Sequence, residues 1–165
     1  MTQQLGSEGT KLIQAFEDLR LEAYQDVGGI WTIGWGHTGK EVVKGLVISR
    51  ATADLLFEAD VRSAVGSVGL LLAETPLEIS QNAFDALVSF VFNIGHGHFV
   101  KSTMLRLLKA GDFNGAKGQF KRWVKVGDDV SRGLINRRAA EELLFAGDLA
   151  GWRRVVKIAL GKDVP

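Results

Sequence analysis

Between Ala23 and His37 the chain gives up helical spacing for strict alternation, and on either side of that stretch helical spacing is the dominant pattern. Trp31, Ile33 and Trp35 fall on one face of a strand and Thr32, Gly34 and Gly36 on the other, because successive side chains alternate across a pleat. Asp26-Val27-Gly28-Gly29 has the composition of a tight turn, so the stretch predicts a β-hairpin. Its large residues point to a small core and its small ones leave an open floor. Val42 to Ile48 is expected to add a third short strand. Upstream, Ser7 to Arg20 predicts a helix, with Ser7 as N-cap and Leu12, Ile13, Phe16 and Leu19 as its apolar face.

After the hairpin, Ser49 is placed to cap a long helix over about 49–72. Beyond Pro76 the pattern is helical throughout. Ser80 caps an apolar helix carrying Phe84, Leu87, Val88 and Val91, which stops near Gly95. A shorter helix runs from Ser102 to Gly111 and another from Asp112 toward Val124. Gly127-Asp128-Asp129 reads as a loop, and Leu134 to Phe145 as the last core helix. The expected fold class is α+β in a single domain. A small α/β lobe (about 1–48) is joined by the connector helix to a larger all-α lobe (about 76–147), with an extension over 148–165. Two lobes on one connector leave a cleft in which an extended polymer can lie.

Composition narrows the function. A formal net charge of +1 over 165 residues argues against a dedicated nucleic-acid binder, which needs a concentrated basic excess. The absence of cysteine removes disulfides, thiol chemistry and cysteine-based zinc sites. Met1 to Arg20 lacks the pattern of a secretory signal, and the apolar run Ala83 to Ile94 is too short for a bilayer span and broken by Asp85 and Asn93. A cytoplasmic start is therefore expected, with no membrane span.

Glycoside hydrolysis needs two acidic groups about the scissile bond, one protonated and one ionised. Glu17 stands near the end of the first helix beside Phe16, at the edge of an apolar face, where partial desolvation favours the neutral form. Asp26 stands in a polar turn beside exposed amides, which favour the ionised form. Thr32 shares its strand face with Gly34 and Gly36, so its hydroxyl can point into the floor beside Asp26. On the residues alone, a solvated helix side (Asp18 and Glu22 are neighbours) and an ordinary turn residue explain the same pair more simply.

The segment Phe16-Glu17-Asp18-Leu19-Arg20-Leu21-Glu22-Ala23-Tyr24-Gln25-Asp26, followed by Thr32-Ile33-Gly34-Trp35-Gly36-His37, resembles the bacteriophage-type lysozymes, or endolysins, of glycoside hydrolase family 24. The shared signature is Glu, eight residues, Asp, five residues, Thr, which Glu17, Asp26 and Thr32 meet. The likeness continues through Phe84 to Gly95, Ser102 to Leu105, Gln119 to Trp123 and Gly133 to Arg138, and spans about Ser7 to Gly147.

The resemblance implies a lysozyme-like fold. It implies a muramidase that cuts the β-1,4 bond between N-acetylmuramic acid and N-acetylglucosamine in peptidoglycan and so lyses bacteria. It further implies inversion, with Glu17 as general acid and Asp26, helped by Thr32, holding the attacking water, and no cofactor or metal. Thr38, Phe92 and Ser102 fall at sugar-contacting positions of the family. His37 is implied to pair with Asp60 on the connector helix. The implied partner is the peptidoglycan glycan strand, reached by a monomer that waits in the host cytoplasm until a holin releases it. Other outcomes are a lytic transglycosylase, a chitin-type glycosidase on the same fold, or a catalytically silent wall-binding module.

Several residues have two readings. Arg137 and Arg138 are candidates for the substrate's muramyl lactate or peptide carboxylates, although a solvated helix face is the commoner setting for adjacent arginines. His96-Gly97-His98, in a Gly-rich loop without a third ligand, is weak grounds for a metal. Trp123 suits the core better than a sugar platform. In the extension, Trp152, Val155, Val156 and Ala159 share a helical face, with Arg153, Arg154 and Lys157 largely outside it. That pattern suits an extra helix packed on the α lobe, or a cationic element facing an anionic envelope.

Overall fold

A computed structural model describes residues 3–76 and 78–164. The first helix, α1, covers Ser7–Phe16 and is four residues shorter at its end than its periodicity suggests. The amide of Glu17 still bonds the carbonyl of Ile13, but its backbone is extended (φ −96°, ψ 119°). By Arg20 the chain is paired as a strand, and residues 17–19 make the turn between the two. Leu19 therefore lies outside the helix. Ser7 is not the cap either. Gly6 occupies the N-cap position, and the free amides of Gly6 and Gly9 donate to Asp85, at 2.8 and 3.1 Å. Asp85, which breaks the apolar run in the sequence, is 1% exposed and serves as a cap delivered from another helix. A Cβ on Gly6 would come within 2.6 Å of its carboxyl, so a small residue is needed there.

The hairpin forms as expected, with β1 (Arg20–Gln25) antiparallel to β2 (Trp31–Gly34). The third strand is not Val42 to Ile48 but β3, His37–Thr38, which pairs with β2 through Thr32–Thr38 and Ile33–His37. Two glycines at positive φ, Gly34 (65°) and Gly36 (88°), let the chain reverse within two residues and reach that pairing first. The 42–48 segment runs beside β1 instead, joined by one isolated bridge, Glu22–Val47, and by the bonds Ala23 N–H to Leu46 O and Ile48 N–H to Leu21 O. Of the large strand residues only Ile33 is fully buried; Trp31 and Trp35 stay partly exposed.

The connector α2 covers Arg50–Leu72, 23 residues capped by the Ser49 hydroxyl on the Thr52 amide. At 1.5 Å per residue it is roughly 34 Å long, enough to touch the small lobe at one end and the helical lobe at the other. It contacts β2 and β3, then α3 (Gln81–Ile94), α4 (His96–Val100) and α5 (Thr103–Lys109). An aromatic chain runs across it. Trp35 of the small lobe meets Phe57 of α2 at 6.1 Å, and Phe57 meets Phe92 of α3 at 5.9 Å. No helix among the described residues is long and apolar enough to cross a membrane.

α3, buried from Ala83 through Val91, packs against α1, α2 and α7 (Arg132–Phe145), while α6 (Phe113–Lys117) packs on α5 and a 3-10 turn (Phe120–Arg122) on α7. Gly127-Asp128 is the turn of a small hairpin, β4 (Lys125–Val126) with β5 (Asp129–Val130), where a plain loop is expected. The His96 region is likewise helical. Most caps come from the expected residues, with Ser80 and Ser102 each accepting from the amide three residues on. The extension forms α8 (Leu149–Leu160), with Trp152 and Val156 fully buried. Each such side chain contributes roughly 1.5–3 kcal/mol by burial, so α8 is bound firmly to α7.

Candidate active site

Glu17 and Asp26 line the same groove, of about 790 Å³, between the hairpin and the helical lobe. Its floor and walls include Phe16, Ile30, His98, Trp123, Val126 and Leu134. The two carboxyls enter it by different routes and are held in different ways.

Asp26 opens the hairpin turn. Its Oδ1 accepts from the amides of Gly28 at 2.8 Å and Ile30 at 2.9 Å, while its own amide donates to the Ile30 carbonyl. Among the described residues Oδ2 has no hydrogen-bond partner. The turn thus fixes one oxygen by backbone geometry and leaves the other to the groove. Thr32 lies further from this opening than strand alternation suggests. It is 4% exposed, its hydroxyl donates to the Ile30 carbonyl at 3.0 Å, and it is not part of the groove wall. It adjoins the Asp26 clasp through Ile30, and strand pairing sets it between Tyr24 and Thr38.

Glu17 sits at the exit of α1, held by a residue 120 positions away. Its Oε1 pairs with Nη1 of Arg137 at 2.5 Å, and its Oε2 rests against Gly36, where a Cβ would approach to 2.7 Å. The apolar edge expected from the sequence is only part of its surroundings; a guanidinium is the nearest partner. Arg137 is itself 4% exposed, with Nε on Glu141 at 3.2 Å and its guanidinium 5.9 Å from the Phe16 ring. Burial alone would pull its pKa down. The carboxylates of Glu17 and Glu141 outweigh that and leave it raised.

Behind this pair lies a buried polar cluster. Glu141 is fully buried, accepts from the Ser89 hydroxyl at 2.8 Å and faces Nη1 of Arg138 at 2.8 Å. That last contact is an ion pair. Burial pushes Arg138 down to about 10, with Glu141 opposing, so it stays charged at neutral pH. It also donates to Asn93 and lies 4.9 Å from the Phe90 ring. Neither arginine belongs to a solvated face. Their charges are needed inside, against Glu141 and Glu17. Ser89 and Glu141 are site-supporting residues that sequence reasoning missed; a glutamate four residues after an arginine on one helix was the available signal.

The other sequence candidates divide. Thr38 and Phe92 share a second depression of about 210 Å³ with Gly36, Asp60 and His96. Gly36 of this depression lies against Glu17 of the groove. Ser102 is elsewhere, 7% exposed, capping α5 beside a different hollow lined by Leu71, Lys101 and Arg106. Arg137 borders the groove but is committed to its carboxylates. His37 lies between Asp60, 2.8 Å from Nδ1, and Glu41, 2.9 Å from Nε2. Trp123 does two things: one edge packs on Phe90 at 5.6 Å, and the rest borders the groove near His98. Among the described residues no cluster of three His, Cys, Asp or Glu side chains could hold a metal ion.

The fold is shared with known proteins. An endolysin of Bacillus phage B103 is 41% identical over 143 residues, covering 86% of this chain and 53% of the relative. An endolysin of Acyrthosiphon pisum secondary endosymbiont phage 1 is 39% identical over 145 residues, covering 86% and 97%. The muramidase domain of SpmX from Asticaccaulis excentricus matches with a TM-score of 0.74 at 36% identity, covering 86% of this chain and 97% of that one. The chain spans about half the length of the Bacillus phage relatives. Residues 14–141 match the family model described as phage lysozyme, a span that holds both groove carboxyls, the hairpin, the connector and the Arg137–Glu141 pair. This chain is a member of the phage lysozyme family.

Proposed function

We propose that the chain is a muramidase of the endolysin type, hydrolysing the β-1,4 bond between N-acetylmuramic acid and N-acetylglucosamine in peptidoglycan. The observation that carries this reading is the shared groove, with Glu17 and Asp26 both on its walls and one Asp26 oxygen left open to it. Glu17, once it has taken a proton from solvent, delivers it to the leaving oxygen, and the C–O bond breaks as positive charge builds on the sugar ring. Asp26 stabilises that charge and takes a proton from the water that attacks the opposite face, giving inversion. Thr32, whose hydroxyl is anchored on Ile30 behind the groove wall, acts on that water through the Asp26 turn that it steadies. Trp123 and Phe92 offer apolar surface for sugar rings; Thr38 and Ser102 are the polar contacts carried over from the family, Ser102 being reached only by glycan that runs beyond the groove to the hollow beside α5, and Arg137 acts by holding Glu17. The enzyme works as a monomer, and its release to the wall depends on a separate holin.

The test is the product. Digestion of purified wall in heavy-oxygen water, read by mass spectrometry and anomer-resolved NMR, is expected to give a hydrated reducing end, labelled once, formed first as the α-anomer. An anhydro product would replace hydrolysis by lytic transglycosylation. A first-formed β-anomer would make Asp26 a nucleophile rather than a water holder. Cleavage of chitin oligomers at equal rate would remove the wall-specific reading, and no cleavage of either polymer would leave a binding module.

A further inference from the structure

The helix that ends at Glu17 is held at both ends by residues of the carboxy-terminal extension, which lies beyond the span matching the family. Near its start, Glu8 accepts from Nη2 of Arg153 at 2.7 Å. Near its end, Nζ of Lys162 donates to the Ala15 carbonyl at 3.0 Å and pairs with Asp18 at 2.8 Å, so that Lys162 straddles Phe16 and Glu17. The last turn of α1 carries no basic residue of its own, and Lys162 supplies the positive charge that a helix C-terminus favours.

The placement follows from local chemistry. Gly161 takes the left-handed conformation (φ 65°, ψ 19°), which ends α8 and redirects the chain so that Lys162 reaches α1. Trp152 and Val156, both fully buried, fix the helix from which that turn starts. One residue before the glycine, Leu160 borders the groove that holds Glu17 and Asp26. The extension thus touches both the backbone that sets Glu17 and the groove into which Glu17 points.

We infer that Lys162 is a positioning residue for the reaction: by pinning the Ala15 carbonyl and Asp18, it fixes the exit of α1 and hence the angle at which Glu17 meets the scissile oxygen. This rests on the reading of Glu17 as the proton donor. Lys162 touches no reacting atom, and its side chain is 43% exposed, so the effect is moderate.

The experiment compares the full chain with Lys162→Met, Lys162→Arg and Arg153→Met. It measures kcat and KM on soluble wall-glycan oligomers, thermal midpoint, and hydrogen exchange at the Glu17 amide, whose bond to the Ile13 carbonyl closes the helix. For Lys162→Met, kcat is expected to fall about three- to tenfold with KM unchanged, and exchange at Glu17 to quicken by a similar factor. Lys162→Arg restores both. Arg153→Met, acting at the far end of α1, lowers the thermal midpoint and spares kcat. Unchanged kcat in Lys162→Met overturns the inference whether or not exchange quickens, as does a fall in kcat without faster exchange. Failure of the reading beneath it is seen separately, as a Glu17→Gln protein that still cleaves at the parent rate.

Discussion

The two groove carboxyls are fixed by opposite means. Asp26 is held by amides two and four residues away, within one exposed turn. Glu17 is held by a guanidinium 120 residues away, itself backed by a fully buried glutamate. The small lobe is self-contained around its acid, whereas the acid at the exit of α1 has no fixed geometry until α7 packs beneath it. A local turn tolerates change elsewhere in the molecule. A charge cluster in the core does not, because removing its shared carboxylate, Glu141, leaves two arginines short of a partner in a medium that solvates them poorly.

The largest expected effect tests whether the two carboxyls are partners in one reaction. Glu17→Gln should lower wall hydrolysis by about 10²- to 10⁴-fold, since an amide cannot donate the proton, while the fold survives because Arg137 keeps Glu141 as partner. Asp26→Asn should fall within the same range with almost no change in thermal midpoint, since the amide oxygen still accepts from Gly28 and Ile30. Turbidity clearance of wall suspensions together with calorimetry checks both. A fully active Asp26→Asn would break the pairing and leave Glu17 acting alone.

The next effect concerns stability. Glu141→Gln should cost about 3–5 kcal/mol in urea unfolding, because Arg137 and Arg138 would share one buried neutral amide in place of a carboxylate. Activity at a temperature where the protein remains folded should fall too, through a looser Arg137 and so a looser Glu17. Loss of less than about 1 kcal/mol would mean that the cluster is not the rigid backing its burial suggests.

The same contrast explains what could be read from the chain alone. The hairpin, the caps Ser49, Ser80 and Ser102, and the two-lobe order are written in neighbouring residues, and all are present. What escaped was set over long distances or by competition. Ser7 is a good cap by type, but Asp85 reaches the amides of Gly6 and Gly9 first. Val42 to Ile48 has strand composition, yet the glycine reversal brings His37–Thr38 to β2 before it. Arg137 and Arg138 look like a solvated pair because neither Glu17 nor the burial of Glu141 can be seen from their neighbours. The Glu17–Asp26–Thr32 spacing was legible only through resemblance; its residues alone fit a plain turn equally well.

The smallest effect belongs to the small lobe's own tie to α2, which, unlike the buried cluster, is made by a histidine. Burial pulls the His37 pKa down, but the hydrogen bonds with Glu41 and Asp60 prevail and leave it raised above its ordinary value. A folded-state pKa above the unfolded one means that the proton is bound more tightly in the folded chain. The stabilisation is therefore complete below the unfolded value, about 6.5, and is lost as pH rises through the folded value. With Glu41 60% exposed, the gain is about 1 kcal/mol or less, or a midpoint shift of about 2–4 °C at most. His37→Gln should thus melt below the parent at pH 5.5, and the two curves should draw together by pH 9. A gap of equal size at both pH values would show that His37 acts by packing and neutral hydrogen bonds alone, and the tie between the lobes would then hold no charge-dependent part.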